Sequence, residues 1–482
     1  MKVPSLLTNR SSLSTSPPIE RFTPATRVCS LWERAGVRES RPNKNFAHYI
    51  IAIFVFAITA LLLTGCQTST FASHSHVFNI ADYGAVNSTN VPSTDAFRQA
   101  IAACHAAGGG TVEIPAGYYL TGPIDLVDNM TLQIDDRAVV LFETQRDHYP
   151  DVVSRWEGLT ESGPHPLIWA NGLRHIAITG HGTFDGQGAA WWATMDMAEH
   201  GNARPDRPIR RRPMFLQIKD CTDVRVDGPT FVNAPFWNIH LLYSTNVEVA
   251  HCTMVAPSNS PNTDGLNTDS CIHVLVHDCL ADVGDDGFGI KSGRDEEGRK
   301  MARPTEDVTY LRLHVLHGHS VCAIGSEESG SVRHVRFLDC TGDGTANGIR
   351  IKSMRGRGGI VEDITATHFT LNNVTNAIVL TLSYVKTDPE PLSERTPLFR
   401  DIHISDVTAR GSETCCLIDG LKEQPIQDVS LNNLDVEGEN GVLCDYVRDV
   451  TFRNVAIHAH DNGYEESHSE NVKKVNVTLV RF

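Results

Sequence analysis

The chain has 482 residues, and its 42 Lys and Arg against 58 Asp and Glu give a formal net charge of −16. This acidic balance argues against nucleic acid as a partner and against any broad electrostatic hold on a polyanion. A polyanionic ligand would need a local basic site. The length is enough for a large core and, taken alone, would allow two or three domains.

Residues 1-48 are rich in Ser and Arg and show no apolar periodicity, so we expect an unstructured extension there. A start codon assigned too far upstream would explain it, and a transit peptide is the competing interpretation. Tyr49 to Leu63 is an uninterrupted apolar run. It is too short to favour a transmembrane helix and predicts the core of a signal peptide.

The tetrapeptide Leu63-Thr64-Gly65-Cys66 ends this run and resembles a bacterial lipobox. In that reading residues 49-66 direct export, Cys66 is the lipidated first residue of the mature protein, and residues 67-77 are a linker. Gln67 resembles the outer-membrane sorting pattern of Gram-negative lipoproteins. We therefore expect an exported lipoprotein of the outer membrane, with a plainly secreted periplasmic or extracellular protein as the alternative.

Residues 78-482 are predicted to form one domain that opens with a single amphipathic helix. From Thr94 to Ala107 apolar residues recur at helical spacing. These residues are Ala96, Phe97, Ala100, Ile101 and Cys104. Gly108-Gly109-Gly110 is expected to end the helix, and Thr111 to Gly117 predicts a short strand and a turn.

A short unit then recurs to the end of the chain, consisting of a polar turn residue, an apolar-x-apolar pair, and polar residues with Gly or Asn. The first apolar residues of the pairs are Met130, Ile176, Val224, Val247, Val274, Val308, Val335, Ile364, Ile402, Val429, Val450 and Val475. Their shorter intervals are 21-27 residues. A period of this size, with short strands and no helices between them, predicts a single-stranded parallel β-helix.

Ten cysteines follow Cys66 in a chain whose predicted export would permit disulfides. Cys252, Cys279 and Cys340 each come just after a strand-like run. This repeated position predicts stacking inside the coil. The sequence leaves any disulfide pairing open.

Three carboxylates fall on the repeat period. Asp264 precedes Asp285 by 21 residues and Asp286 by 22. Because equivalent strands of successive laps lie about 4.8 Å apart, Asp264 is predicted to face the Asp285/Asp286 pair. Adjacent strand residues point to opposite faces, so both members of the pair reach one cleft only if the backbone bends. Gly284 and Gly287 permit such a bend.

The next laps are predicted to bring a histidine and two cations to the same wall. His319 follows Asp286 by 33 residues and Arg350 follows His319 by 31, each one lap plus an insertion. Strand alternation places Arg350 and Lys352 on one side and Ile351 in the core. Acids, a histidine and cations on one wall of an acidic protein point to cleavage of an anionic sugar. The charged insertion at 293-304 is predicted to be a rim loop.

At these residues the chain resembles family 28 glycoside hydrolases, the polygalacturonase family of right-handed parallel β-helices. The resemblance runs from about Phe78 to the C-terminus. The motifs that carry it, in family order, are Asn262-Thr263-Asp264-Gly265, Gly284-Asp285-Asp286, Gly318-His319 and Arg350-Ile351-Lys352. Two residues depart from the family pattern without removing a catalytic group: Ser320 replaces the second Gly of Gly-His-Gly, and Asn267 stands where Asp is frequent.

The resemblance implies an all-β, right-handed single-stranded parallel β-helix with one N-terminal capping helix, and neither cofactor nor metal. It implies that Asp285 is the general acid, that Asp264 and Asp286 activate water, and that His319 tunes the acid. Crowding of like charges would let one carboxyl group hold a proton while its partners stay ionised. A water between acid and base would make the reaction inverting, with carboxyl groups about 6.5–9.5 Å apart.

The resemblance also implies a set of substrate-binding residues. They are Asn262, Arg350, Lys352 and Tyr384. The two cations would hold a galacturonate carboxylate, with the guanidinium binding in a bidentate manner. Asn262 would bind a sugar hydroxyl or, equally, stabilise a turn.

The function so implied is hydrolysis of α-1,4-galacturonosidic bonds in homogalacturonan by a monomer. Exo or endo action depends on whether loops at Ala189 to Pro213 and Arg294 to Pro304 close one end of the groove, and similarity to exo-acting members favours exo. One alternative is a hydrolase of a substituted galacturonan such as rhamnogalacturonan or xylogalacturonan. Others are a pectate lyase-like β-eliminating enzyme, which would need calcium, and a non-catalytic carbohydrate-binding β-helix.

Two further groups have two interpretations each. Trp191, Trp192 and Trp237 are sugar-stacking platforms or packing residues at a loop base. Arg207, Arg210, Arg211 and Arg212 extend an anionic-sugar groove or belong to a solvated loop.

Overall fold

The chain winds so that each lap adds a strand to each of three parallel faces around one apolar core. The computed structural model describes residues 76–193, 211–460 and 463–481, which belong to one compact unit, Thr70–Phe482. We name the faces by the lap around Asp264. The site face contains Leu266–Asp269, the second face Ile272–His277 and the third face Leu280–Asp282.

Strands are numbered along the chain. The site face contains β5 (Ile124–Asp125), β10 (Ile168–Asn171), β13 (Leu216–Lys219), β16 (Ile239–Leu242), β19 (Leu266–Asp269), β22 (Asp286–Lys291), β25 (Ser320–Ile324), β27 (Asn347–Lys352), β29 (Asn376–Thr381) and β33 (Tyr464–Ser467). The second face contains β1 (Val77–Asn79), β3 (Gly110–Ile114), β6 (Met130–Ile134), β11 (Arg174–Thr179), β14 (Thr222–Asp227), β17 (Thr245–Ala250), β20 (Ile272–His277), β23 (Thr305–Leu311) and β34 (Lys473–Val480). The third face contains β2 (Ser88–Pro92), β4 (Gly117–Thr121), β7 (Ala138–Phe142), β12 (Thr183–Asp185), β15 (Thr230–Val232), β18 (Thr253–Val255), β21 (Leu280–Asp282) and β24 (His314–Val315).

Towards the C-terminus the strands lengthen and bend from one face to the next. These strands are β26 (Val332–Asp343), β28 (Ile360–Asn372), β30 (Leu398–Asp419), β31 (Ile426–Asp445) and β32 (Val447–Ala459). Parallel pairing continues through them from lap to lap.

The predicted valine and isoleucine ladder is confirmed by the strand register. Ile176 pairs with Val224, and the pairing continues in the predicted order as far as Val450. The prediction that Val475 is the last member of the ladder is wrong, because Val475 pairs with Arg453 and is 37% exposed. Since Lys473 pairs with Thr451, it is Val472 that stands in the position equivalent to Val450.

The predicted N-terminal helix is α1, Thr94–Ala106, and all five predicted apolar residues are buried in it. Beyond α1, the described residues also contain α2 (Ala189–Trp192), α3 (Asp295–Met301) and two 3-10 helices, Ile80–Tyr83 and Arg146–His148. The insertion at 293-304 was expected to be a loop and instead contains α3. Acids fill its first turn and cations its last, an arrangement that favours a short helix through its dipole.

A two-stranded antiparallel hairpin was not predicted from the sequence. Its strands are β8 (Asp151–Trp156) and β9 (Leu159–Pro164), which pair only with each other among the described strands. It is inserted before β10 and lies outside the coil. Its residues carry no lap period, so the repeat gave no signal for it.

The predicted interior stacking of cysteines is confirmed. Cys252, Cys279 and Cys340 are 1%, 2% and 0% exposed. All ten cysteines within the described ranges are buried free thiols. Burial raises the pKa of the Cys271 thiol to about 12, which makes it an inert packing residue.

The predicted signal core, Tyr49 to Leu63, and the lipidation site Cys66 lie outside the described residues, so both stay predictions. Among the residues that the structure does describe, no helix is long and apolar enough to cross a membrane.

We expect Ile402→Ala to lower the free energy of unfolding by about 2–5 kcal/mol, because Ile402 is buried between Ile364 and Val429 and its loss leaves a cavity. Val475→Ala is the matched control from the same sequence motif, and we expect it to change stability by less than about 0.5 kcal/mol. Denaturant unfolding of both variants measures the difference. Equal losses would contradict the register.

Candidate active site

Backbone pairing on the site face brings the three predicted carboxylates together. The amide of Gly265 donates to the carbonyl oxygen of Asp286 at 3.0 Å, which places Asp264 and Asp286 side by side on neighbouring laps. Asp285 precedes strand β22 at a bend in the backbone. Gly284 lets the bent backbone approach the preceding lap closely, because a Cβ there would lie 2.1 Å from the carbonyl oxygen of Ser260. The prediction that Asp264 faces the Asp285/Asp286 pair is therefore confirmed.

The three carboxylates form one tight cluster with unequal exposure. One oxygen from each of Asp264, Asp285 and Asp286 lies within 4.8 Å of the others. The side chain of Asp285 is 19% exposed, whereas those of Asp264 and Asp286 are 4% and 2% exposed. Asp285 is thus the member of the cluster that reaches the cleft. The spacing is shorter than the window expected for an inverting pair.

Burial and charge push two of the carboxyl pKa values in opposite directions. Burial, followed by the neighbouring Asp285 carboxylate, raises the pKa of Asp264 well above its ordinary value. Burial would also raise the pKa of Asp286, but Lys352, Lys291 and Arg350 outweigh it and hold that pKa below its ordinary range. The cluster therefore contains one carboxyl group that holds a proton more tightly than usual and another that releases it more readily.

His319 is placed beside the exposed carboxylate. Its amide donates to the carbonyl oxygen of Asp285 at 2.9 Å, and its Nδ1 lies 2.8 Å from Asp285 Oδ1. This side-chain hydrogen bond is the main cause that raises the pKa of His319 above 6.5. Ser320 pairs with Asp286 and is fully buried, so the departure from Gly-His-Gly leaves this placement intact.

The predicted cations and tyrosine form the C-terminal side of the cluster. Lys352 Nζ donates to Asp286 Oδ2 at 2.9 Å. Arg350 and Lys352 each lie 5.4 Å from the ring centroid of Tyr384, which is 43% exposed. Arg350 Nε is buried and has no hydrogen-bond partner within the described part of the chain. The guanidinium thus retains a free donor.

The sequence-based reasoning missed a second buried lysine, Lys291. Its Nζ lies 3.2 Å from Glu327 Oε2, 3.8 Å from Asp264 Oδ2 and 4.9 Å from the ring centroid of Trp237. Burial would lower the pKa of Lys291, but Glu327, Asp264 and Asp286 raise it above its ordinary value, so the ammonium stays charged. Lys291 and Lys352 together compensate the acids.

A repeated dipeptide could have revealed Lys291. Ile290 pairs with Ile324, and Ile324 with Ile351. Lys291 and Lys352, which follow the first and last of these isoleucines, therefore occupy equivalent positions two laps apart. The sequence shows this as Ile290-Lys291 and Ile351-Lys352.

Asn267, in strand β19, supports Asp264, which lies just before that strand. Its Nδ2 donates to Asp264 Oδ2 at 2.9 Å. An Asp at this position would add a fourth carboxylate, whereas the amide supplies a donor. Gly289 on the next lap makes room for it, because a Cβ there would lie 2.2 Å from Asn267 Oδ1.

Asn262 has a structural contact that explains its place in the motif. It adopts a left-handed backbone conformation with φ of 52°, which Asn tolerates, and its Oδ1 accepts from Arg212 Nη2 at 2.8 Å. Arg212 is buried and also donates to the carbonyl oxygens of Pro235 and Pro261 at 2.7 Å. Of the four predicted arginines, Arg212 therefore braces the loop that leads to Asp264.

The remaining predicted arginines and tryptophans that the structure describes have structural contacts. Arg211 forms an ion pair with Glu161, and Arg207 and Arg210 lie outside the described residues. Trp191 and Trp237 are 4% and 2% exposed. Trp191 packs in the core of the coil, whereas Trp237 packs with Trp156 of the hairpin.

The hairpin of β8 and β9 covers the site face on the N-terminal side of the carboxylates. Gln217, His240 and Asp269 alternate with core residues and would otherwise face solvent, yet each is 0% exposed. Arg155 Nη1 donates to Asp269 Oδ1 at 2.6 Å, and Ser154 Oγ donates to Gln217 Oε1 at 2.8 Å. These buried polar contacts attach the hairpin to the coil.

The tip of the hairpin also contacts the rim helix α3. The amide of Arg294 donates to the carbonyl oxygen of Gly158 at 3.0 Å, and the amide of Thr160 donates to Glu297 Oε1 at 2.9 Å. The hairpin and α3 therefore form one continuous wall beside Lys291 and Glu327.

The carboxylate cluster is close enough to ligate a cation, but its charge is already balanced. Lys352 contacts Asp286 directly, and Lys291 lies next to Asp264. A divalent ion would have to displace these ammonium groups from a buried site. The donor set therefore fits proton chemistry better than metal binding.

Residues 104–463 match the model of glycosyl hydrolases family 28. The chain belongs to this family. Its right-handed parallel β-helix agrees with this membership. A probable polygalacturonase of Vitis vinifera is 30% identical over 386 residues, which cover 78% of this chain and 77% of that protein. An endo-polygalacturonase of Pectobacterium carotovorum is 25% identical and covers 80% and 95% of the two chains.

A solved exopolygalacturonase from Thermotoga maritima has a similar structure, with a TM-score of 0.73 and 29% identity. It covers 80% of this chain and 92% of its own. The family 28 member described here is therefore a glycoside hydrolase similar to both exo- and endo-acting relatives.

We expect Asp285→Asn to lower the pKa of His319 towards 6.5, because the hydrogen bond and charge that raise it are lost. In the native protein the His319–Asp285 ion pair stabilises the fold below pH 6.5 and is lost as the pH rises through the raised pKa. An NMR titration of the imidazole measures the shift. Asp264→Asn is the control and should leave the value in place; an unchanged pKa in Asp285→Asn would contradict the assignment.

Proposed function

We propose that this family 28 enzyme is a polygalacturonase that hydrolyses α-1,4-galacturonosidic bonds of homogalacturonan with inversion, acting from a chain end. The observation that carries the proposal is the position of the acid cluster directly beside Arg350, Lys352 and the exposed Tyr384. This arrangement provides a proton donor and a site for a sugar carboxylate at adjacent positions. The relatives named as polygalacturonases support the same substrate class.

Asp285 is the proposed general acid, because it is the most exposed of the three carboxylates and contacts His319. The raised pKa of Asp264 supports a proton held in the free cluster next to Asp285. When a sugar fills the cleft, that proton passes to Asp285 and then to the glycosidic oxygen. The positively charged His319 favours the return of Asp285 to its ionised state as the leaving group departs.

Asp286, with Asp264, is proposed to activate the attacking water. Lys352 occupies Asp286 Oδ2, while Oδ1 is buried and has no hydrogen-bond partner among the described residues. A lone pair is thus available to accept a proton from water. Once Asp264 has given up its proton, both carboxylates are ionised on the side of the water.

Inversion is supported by burial rather than by the separation of the acids. A retaining enzyme needs a carboxylate that itself bonds to the anomeric carbon. The side chains of Asp264 and Asp286 are 4% and 2% exposed, so a sugar carbon is far less able to reach them than a water molecule. The short spacing of the cluster is explained by the two lysines that offset the like charges.

The galacturonate carboxylate is proposed to bind at Arg350 on the C-terminal side. The charged guanidinium of Arg350 and the ring of Tyr384 provide a charge-assisted hydrogen bond and a stacking surface. Lys352 donates a hydrogen bond to Asp286, so its positive charge acts both on the substrate carboxylate and on the acid cluster.

Exo action is proposed from the hairpin. Because β8 and β9 cover Gln217, His240 and Asp269, the hairpin closes the site face at these three positions within the described part of the chain. Tyr384 on the other side remains exposed. A groove blocked at one end accepts a chain end in preference to the middle of a polymer.

We expect polygalacturonic acid to yield saturated monomer or dimer from the first time points, with the β-anomer appearing first by NMR, and Asp285→Asn to abolish release. Chromatography, ultraviolet absorbance and proton NMR make the three measurements. Unsaturated products, or activity that survives in Asp285→Asn, would refute the mechanism. Release only from a rhamnogalacturonan or xylogalacturonan would keep the chemistry and change the substrate.

We expect replacement of Val152 to Gly163 by two glycines to open the groove and to change the early products from monomer or dimer to a ladder of oligomers. Val153→Ser is the control within the same hairpin, since Val153 is 64% exposed and its loss leaves the wall in place. Circular dichroism verifies that the shortened enzyme keeps its strands. A folded, active variant that still releases only monomer or dimer would refute the role of the hairpin.

A further inference from the structure

A second cluster of chemically active side chains lies at the corner between the second and third faces. His251 follows strand β17, while His277 ends β20 and Asp278 follows it on the next lap. The amide of His251 donates to the carbonyl oxygen of His277 at 3.2 Å, which holds the two laps in register. One ligand atom from each of His251, His277 and Asp278 lies within 4.8 Å of the others.

Each imidazole has a carboxylate on its far nitrogen. His251 Nδ1 lies 2.8 Å from Asp227 Oδ1, and His277 Nε2 lies 3.2 Å from Glu248 Oε1. With Asp227 on Nδ1, the Nε2 atom of His251 is left as an acceptor. His277 Nδ1 shares a proton with Asp278 Oδ2 at 2.6 Å and becomes available to a metal when that proton leaves to solvent. Outer carboxylates that fix the tautomer in this way are usual behind metal-binding histidines.

We propose that His251, His277 and Asp278 form a surface site for a divalent transition metal, with Zn²⁺ as the preferred ion. Two neutral imidazoles and one carboxylate match the borderline character of Zn²⁺ and suit Ca²⁺ or Mg²⁺ poorly. Water completes the coordination. Asp227 and Glu248 serve as the outer carboxylates.

The geometry requires small movements of two kinds. With zinc bonds of about 2.0–2.2 Å, tetrahedral ligands lie farther apart than the 2.6 Å between His277 Nδ1 and Asp278 Oδ2, so this pair must open slightly. His251 supplies the inward movement, because its side chain is 54% exposed and can tilt while it keeps its hydrogen bond to Asp227. His277 Nδ1 already lies 2.6 Å from Asp278 Oδ2, so the metal replaces the proton shared by these two atoms.

Arg312 opposes the metal and sets a limit on affinity. Its Nε and Nη2 each lie 2.6 Å from an oxygen of Asp278. On metal binding Asp278 keeps Oδ1 for Arg312 and presents Oδ2 to the ion. Arg312 is 51% exposed, so solvent weakens its repulsion of the ion.

This site would tie two successive laps together from outside the core. Strands β17 and β20 already pair, and the ion would add a link between the turns that follow them. It lies at a different corner of the coil from Asp285, so occupation should raise thermal stability without altering catalysis. The inference is independent of the proposed substrate.

The test is calorimetric titration of the full chain, stripped with chelator, with ZnCl₂ alone. We expect one specific site whose affinity falls about 10- to 100-fold in Asp227→Asn and further in His277→Ala. His273→Ala is the matched control, because His273 is 58% exposed and has a carboxylate partner, Asp307, at 3.2 Å. It should leave zinc binding unchanged. Zinc should raise the melting temperature of the native chain and of His273→Ala but not that of His277→Ala.

Co²⁺ gives a second readout that does not depend on stability, since a tetrahedral nitrogen and oxygen site produces visible absorption that His277→Ala should remove. Absence of a stoichiometric zinc site in the native chain would overturn the proposal. So would equal binding in His277→Ala and the native chain, or an equal loss in His273→Ala. Hydrolysis of polygalacturonate should be the same with and without zinc, and a zinc-dependent rate would show that the ion acts at the catalytic cluster instead.

Discussion

Backbone hydrogen bonds between equivalent strands of successive laps are the interaction on which the rest of this structure depends. They fix the distance between neighbouring laps at about 4.8 Å. That distance brings Asp264 to Asp286, stacks Ile290, Ile324 and Ile351, and sets Lys291 and Lys352 two laps apart. The core and the active site are consequences of one register, so an error in it would disturb both.

The site concentrates like charges that the fold must compensate. Asp264 and Asp286 are almost completely buried, and isolated ionised carboxylates are costly in such positions. Two lysines offset this cost. Lys352, two laps towards the C-terminus, donates to Asp286, and Lys291, at the end of the strand that begins with Asp286, lies beside Asp264. Because the compensation is uneven, the pKa of Asp264 is raised and that of Asp286 is lowered.

The hairpin shows how an insertion changes a groove without changing the coil. A bare solenoid presents an open groove along its whole length. Here Arg155 and Asp269, 1% and 0% exposed, form an ion pair that holds a non-repeating segment over the N-terminal laps. A buried pair of this kind is specific in geometry, because breaking it would leave an uncompensated charge in the interior.

Local pattern was enough to predict much of the protein from its sequence. Apolar spacing predicted α1 and the ladder from Met130 to Val450, because each lap must place its own apolar residues in the core. The motif order predicted the cluster of Asp264, Asp285, Asp286, His319, Arg350 and Lys352, because the lap period, lengthened by insertions, brings them to one wall. The family membership followed from these same residues.

Other features depended on tertiary structure. The ion pair of Lys291 with Glu327 and the contact of Arg212 with Asn262 join residues whose separation is not a multiple of the lap, so no periodic pattern reveals these contacts. The hairpin and α3 are insertions whose contacts are set by side chains on distant laps. The direction of each carboxyl pKa depends on burial and on neighbouring charges in space. The sequence by itself determined the repeat and which acids, histidine and cations share one wall. Only the folded chain decided which carboxylates are buried, which lysines balance them and which end of the groove is covered.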